Sequence, residues 1–395
     1  MKIKRIKKNY CSMLVLFLIA APGFNSGLLA QSVENNIWQL EGIRVERGES
    51  VRIEGPTTAT AFRFDDGRIV VGSGKNSKWS FDNGHTWVEG IAGPSARNTV
   101  ELGNEEIISV QPNSIRRPDG KFTLKLQRST DNWKTVMNEE ASLDIPNSSF
   151  TITGDGEIKD GFIFHHGILM LEDSTIIGTM YGNYEGDNLY CDGSPPELNQ
   201  RKYRTIVVFS KDKGRTWGNH VLVAYDKMLG RGIEDNHPVL SKFASLTAIV
   251  PAITQEGFRE ADIVQAKNGD LLCMMRSGGR NGHTVNLFPT PLYCARSIDK
   301  GRSWSPPAQI ADRGVCPNAV TLENGIVVCT YGRPGNWLIF SDDNGKTWKG
   351  AFQFGNSRDY NFIVETEPNV VQVYHEVKED KQKIVYGTFF KVEKQ

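Results

Sequence analysis

One eight-residue pattern recurs along this chain and constrains its fold more than any other feature. Ser80-Phe81-Asp82-Asn83-Gly84-His85-Thr86-Trp87 reads Ser-x-Asp-x-Gly-x-Thr-Trp, and the same spacing returns at 210–217, at 297–304 with Ser303 for Thr, and at 341–348. A fifth copy, Ser129-Thr130-Asp131-Asn132-Trp133, is shortened and has no glycine. A short unit repeated at intervals of tens of residues marks a fold assembled from repeated supersecondary units. The residue types describe a tight turn. An Asp carboxylate accepts from backbone N–H groups ahead of it, Gly takes a positive φ, and Trp lays an apolar plate against the sheet. These duties are structural, so the repeated aspartates are not candidates for chemistry.

The copies follow alternating or β-branched runs such as 205–209, 292–296 and 337–340. Asp66-Gly67, Asp119-Gly120, Asn268-Gly269 and Asn324-Gly325 are hairpin-type pairs between further runs. No stretch sustains a helical period. The runs group at 57–90, 98–140, 162–225, 258–310, 314–352 and 359–395, and segment 38–53 is expected to add a strand that closes a ring. The copies start 49, 81, 87 and 44 residues apart. The two long intervals each hold one set of runs plus long loops, so six units are expected rather than seven.

Composition narrows the class. The 395 residues carry 46 Lys+Arg against 46 Asp+Glu, with 10% aromatics, which excludes a disordered tail protein and a basic nucleic-acid binder. Residues 1–30 hold Lys2, Lys4, Arg5, Lys7 and Lys8, no acid, and then the apolar run Met13–Ala21. That run is too short to span a bilayer and fits the apolar core of a secretory signal ending near Ala30. Export to the periplasm or beyond is therefore expected, with 31–395 forming one domain of net charge near −5. Cys191, Cys273, Cys294, Cys316 and Cys329 remain after such a cleavage, with no Cys-x-x-Cys and no His at zinc spacing. They read as buried thiols, with Cys273–Cys294 or Cys316–Cys329 bridges as the alternative. No ligand cluster, phosphate loop or dinucleotide fingerprint is present, so no cofactor is expected.

The repeated segment is similar to the Asp box of the sialidase-like β-propellers, and the chain resembles that family over most of residues 31–395. The resemblance implies an all-β, six-bladed propeller of four-stranded blades with Asp-box turns. Each box lies between the third and fourth strands of a blade. The start of the first strand and the loop after the second lie on the opposite face, where the long loops gather and where function is expected.

On that face the resemblance implies a site. Glu260 opens the fourth blade and Arg276 ends its second strand; Arg333 lies in Tyr331-Gly332-Arg333-Pro334-Gly335; Tyr360 opens the sixth blade, with Glu376 after its second strand. Sialidases place there a tyrosine nucleophile with its glutamate, two substrate-binding arginines, and a glutamate that steadies an arginine. An arginine fork suits a sugar carboxylate. A neutral phenol activated by a carboxylate suits attack beside an anionic centre. The nearest match to the family's first arginine is Arg52, in Arg52-Ile53-Glu54-Gly55-Pro56, and no acid stands in 72–79, where the family's acid/base aspartate lies. The proton donor is therefore expected from the third-blade rim, at His166 or Asp187, with Asp235 a further candidate. The expected activity is that of a monomeric glycosidase cleaving a terminal acidic or deoxy sugar from a glycan or polysaccharide. The alternatives are a non-catalytic glycan-binding propeller and a lyase acting on a uronate-containing glycan.

Overall fold

The computed structural model describes residues 36–153, 156–191, 200–226, 256–278, 291–333, 335–357, 360–380 and 382–395. The expected signal at 1–30 and the candidate donor Asp235 lie outside the described residues. The fold is all-β, and no helix among the described residues is long and apolar enough to cross a membrane.

Among the described residues the strands form three four-stranded sheets, one of five strands, one of eight and one of two. The eight-stranded sheet holds two antiparallel runs of four, so the chain divides into successive units of antiparallel strands. The first comprises Ala61–Arg63, Ile69–Val71, Lys78–Ser80 and Val88–Glu89, and the second Thr99–Glu101, Ile107–Arg116, Phe122–Ser129 and Met137–Leu143. The third comprises Ile168–Met170, Ile176–Gly182, Arg204–Ser210 and Thr216–Ala224, and the fourth Arg259–Gln265, Leu271–Arg276, Leu292–Ser297 and Ala308–Ala311. The fifth holds Val315–Thr321, Val327–Gly332, Asn336–Ser341 and Lys349–Gly355. The sixth takes Phe362–Glu367, Val370–Glu379 and Gln382–Lys394 from the end of the chain and Ile43–Ile53 from its beginning, with Ile37–Leu40 outside. From the second unit to the sixth the first strands of successive units adjoin one another, and that of the sixth adjoins that of the first. Ala61–Arg63 of the first unit meets the Ala96–Asn98 turn that leads into the second.

The core lies in the gaps between units. Separate apolar clusters fill each junction, for instance Ile108, Leu124, Phe164, Met180 and Trp217 between the second and third units. Ile177, Val207, Phe258, Cys273 and Tyr293 fill the next junction. Second strands are covered on both faces, so Ile176–Gly182, Leu271–Arg276 and Val327–Gly332 are buried throughout and read as continuous apolar runs.

The repeated segments all join a third strand to a fourth and share one bonding scheme. In the first, Asp82 Oδ1 accepts from Ser80 Oγ at 2.8 Å and from Thr86 N at 2.9 Å, Oδ2 accepts from Thr86 Oγ1 at 2.6 Å, and Gly84 N donates to Ser80 Oγ at 2.8 Å. Asp212, Asp299 and Asp343 repeat these contacts. The fifth copy is not shortened after all. Trp133 occupies the glycine position with φ 64°, its N–H donates to Ser129 Oγ, and Thr135 closes the turn on Asp131.

Two features were not legible beforehand. The second and third units are joined edge to edge where Ser142 and Leu143 pair in parallel with Thr216 and Trp217. Between these units, Thr151–Ile152 and Ile158–Lys159 form an added hairpin. The five described cysteines are buried and free. Cys273 faces Ala295 and Cys294 faces Met274 across the ladder, so alternation sends the two thiols to opposite faces of the sheet.

Candidate functional site

The first strand of the fourth unit does not alternate cleanly. Its register against Leu271–Arg276 shifts between Arg259 and Asp262, and Glu260 has φ 47°. A positive φ is uncommon for Glu and costs free energy, and such irregularities re-aim side chains. Here the consequence is that consecutive residues, Arg259 and Glu260, line one cavity.

Glu260 is the hub of that cavity. Its Oε2 accepts from Arg276 Nη1 at 2.5 Å, its Oε1 accepts from the Tyr360 hydroxyl at 3.1 Å, and Arg259 Nη1 lies 3.7 Å from Oε1. Arg259 and Arg276 stand opposite each other across the ladder, so the carboxylate keeps two buried cations from facing one another unscreened. Arg259 also pairs with Glu256 at 2.5 Å. Burial works to raise the Glu260 pKa, but Arg276 and Arg259 outweigh it and hold the carboxyl well below its ordinary value. Burial, and then Glu260, push the Tyr360 phenol up to about 12. At neutral pH the pair is therefore a phenol donating to a carboxylate. The Tyr360 ring is flanked by two guanidiniums, with Arg97 Cζ 4.9 Å and Arg333 Cζ 5.5 Å from its centroid.

The cavity has a volume of about 440 Å³, in the range of small-molecule sites. Arg97, Arg259, Arg276, Arg333 and Lys383 line it against Glu157, Glu260 and Glu376, with Thr57, Thr58, Thr153, Tyr181 and Tyr360 between them. The basic excess and the supply of hydroxyls suit a polar anion. Lys383 Nζ donates to Glu376 Oε2 at 2.8 Å.

Of the residues expected from sequence, Glu260, Arg276, Arg333, Tyr360 and Glu376 come together here, while Arg52, His166 and Asp187 do not line the cavity. Arg52 pairs with Glu54 and, at 3.4 Å, with Glu379, on a strand at the outer side of the sixth unit. Asp187 is taken up by Arg204, which donates to both carboxylate oxygens, and by the Tyr184 N–H at 2.9 Å. His166 is wholly buried, with Nε2 2.9 Å from the Pro317 carbonyl and Nδ1 2.5 Å from His165 Nδ1. Burial, and then Arg97, bring its pKa down to about 4, so the imidazolium that a neutral-pH acid requires is disfavoured. Glu376 accepts from Lys383 and shares the cavity lining with Arg333.

Sequence reasoning missed Arg97, Arg259 and Lys383. Period-two alternation sends Arg259 and Glu260 to opposite sides, and only the bulge reverses this. Arg97 sits on a 3-10 turn, Ala96–Asn98, ahead of the second unit, where no strand pattern points inward. Lys383 is legible only once Gln382–Lys394 is paired with Val370–Glu379, which sets it near Glu376.

No family model and no curated protein sequence matches the chain. Among solved structures, a protein of unknown function from Dyadobacter fermentans is similar with a TM-score of 0.59 at 18% identity, over 88% of this chain and 99% of that one. A sialidase from Trypanosoma rangeli, solved with the inhibitor DANA, gives a TM-score of 0.45 at 15% identity. That match covers 90% of this chain and 54% of the sialidase. A xylan β-1,4-xylosidase from Bacillus halodurans gives 0.36 at 10% identity, over 75% of this chain and 52% of that one. At these identities any likeness is one of fold.

Proposed function

We propose that the chain is an exported, monomeric, six-bladed propeller glycosidase of the sialidase type, its repeated turns serving as Asp boxes, that removes a terminal acidic or deoxy sugar from a glycan or polysaccharide. The observation that carries this reading is the Tyr360–Glu260 pair at 3.1 Å inside a cavity ringed by basic side chains. Arg276 and Arg333 would take the sugar carboxylate, placing the anomeric carbon beside the phenol. An anion bound there draws on the positive charge of Arg276, which relaxes its hold on Glu260 and raises the carboxylate's basicity toward the phenol. Tyr360 would then attack the anomeric carbon as its proton passes to Glu260 and the glycosidic C–O bond breaks, the leaving oxygen taking a proton from solvent water. A second water then splits the tyrosyl–sugar bond as Glu260 returns the proton to the phenol. Residues 1–30, read as a secretory signal, support export.

The test is to incubate the protein with sialylated, uronate-containing and deoxy-sugar oligosaccharides and to weigh the products. A terminal sugar released with uptake of one water supports the glycosidase reading. An unsaturated product replaces it with a lyase, and unchanged substrates with measurable binding replace it with a lectin-like propeller. One observation favours that last reading: His166 and Asp187, the expected proton donors, are turned to other partners.

A further inference from the structure

Arg97 is held from behind by a chain of hydrogen bonds whose direction is fixed at both ends. Its Nη1 lies 3.3 Å from His165 Nε2, His165 Nδ1 lies 2.5 Å from His166 Nδ1, and His166 Nε2 lies 2.9 Å from the Pro317 carbonyl. A guanidinium only donates and a carbonyl only accepts. His165 Nε2 therefore accepts, which puts the His165 proton on Nδ1. His166 Nε2 must carry a proton to reach Pro317, which leaves its Nδ1 to accept from His165. Every other assignment sets donor against donor or acceptor against acceptor, so both rings are neutral and of opposite tautomer.

The strut ends at a strategic place. A second cavity, of about 580 Å³, runs along the first strands of all six units, and Arg97 is the one side chain common to its described lining and that of the site cavity. We propose that His165 and His166 are positioning residues that brace Arg97 from the Pro317 carbonyl, so that Arg97 forms the partition between the two cavities and a further ligand-binding cation beside Tyr360. The binding role rests on the acidic-sugar reading; the brace does not. Groups facing the two imidazoles are Arg97, Arg259 and Glu260, with the Tyr181 and Tyr360 rings alongside His165 and the Phe362 ring alongside His166. Burial is the largest influence lowering both histidine pKa values.

The brace is decided by long-range proton–nitrogen spectra of the labelled full chain. Two neutral imidazoles of opposite tautomer, joined by a nitrogen–nitrogen coupling through their hydrogen bond and unchanged from about pH 8 to 5.5 across the ordinary histidine range, are expected. Absence of such a pair, or titration of either ring near its ordinary value, overturns it. The binding role is decided by calorimetry with free N-acetylneuraminate and glucuronate. Arg97→Met, and His165→Phe, which keeps a ring but removes both bonds, should each weaken binding about tenfold, the range for losing one charge-assisted contact. Equal affinity of wild type and Arg97→Met overturns the binding role. Failure of the wild type to bind either sugar overturns the acidic-sugar reading and Arg97's part in it, while the spectra still rule on the brace.

Discussion

Glu260 and Tyr360 share one hydrogen bond but differ in what their loss leaves behind. Glu260→Gln removes the carboxylate that Arg276 and Arg259, both buried, share, leaving Arg259 its pair with Glu256, and should cost about 3–5 kcal/mol, as expected for a broken buried ion pair. Tyr360→Phe removes one neutral donor and should cost no more than about 1.5 kcal/mol. Both should abolish turnover, so urea melts beside a product assay separate a stability effect from a chemical one. Titration gives a second contrast. His166, at about 4 in the fold against about 6.5 unfolded, stays neutral while the unfolded chain takes up a proton, so its contribution is lost as pH falls from about 6.5 to 4. Asp262, raised by burial to about 7, holds its proton in the fold, so its contribution is lost as pH rises from about 4 to 7. Each is worth on the order of 3 kcal/mol over its window, with opposite sign. Asp262→Asn should therefore lose stability more steeply toward acid than wild type, and His166→Gln less steeply; parallel curves would show that neither group is tuned by the fold. Glu260, Arg276, Arg333 and Tyr360 were legible in sequence because strand starts and loops fall where counting puts them. Arg259 and Arg97 were not, because one depends on a bulge and the other on a 3-10 turn, and neither leaves a periodic trace.

The repeated turns are uniform in their carboxylate bonds and uneven in their tryptophans. Trp87, Trp217 and Trp304 each donate the indole N–H to the carbonyl of their own turn's glycine, at 3.1, 3.0 and 3.2 Å. Trp217 is buried at 2% exposure, whereas Trp304 is only partly covered, so the plates do not anchor equally. Trp217→Ala should cost about 3–5 kcal/mol and Trp304→Ala clearly less, since the cost follows the buried volume removed. Equal losses in denaturant melts would mean that the indole bond, not burial, carries the effect. The second-unit turn shows what sequence spacing hides. Trp133 stands in the glycine slot at 1% exposure and sends its indole N–H to the Ala92 carbonyl instead, so the turn keeps its full length without a glycine.

The sheet of the sixth unit is completed by two strands far apart in sequence. Ile43–Ile53 lies along Gln382–Lys394, fastened by Arg44 to Glu393 at 2.9 Å and by Ser50 with Thr388 at 2.9 Å. Removing residues up to 53 should leave Gln382–Lys394 as a bare edge, and such edges recruit other chains. Light scattering on the truncated protein should then show association, and a monodisperse, cooperatively melting product would refute the closure. Segment 38–53 holds two strands, Ile37–Leu40 and Ile43–Ile53, folded against each other as a hairpin. That it adds a strand was legible, since its alternation is local. The parallel seam between the second and third units was not, because it joins edges that no local pattern connects. Arg44 and Glu393 are 349 positions apart, so a ribosome must add everything between them before the first long strand meets its partner. Until then that strand is a sticky ribbon in want of shelter. A product that stops short of Gln382–Lys394 never acquires this clasp, which leaves it open to proteolysis while copies that carry the strand are sealed.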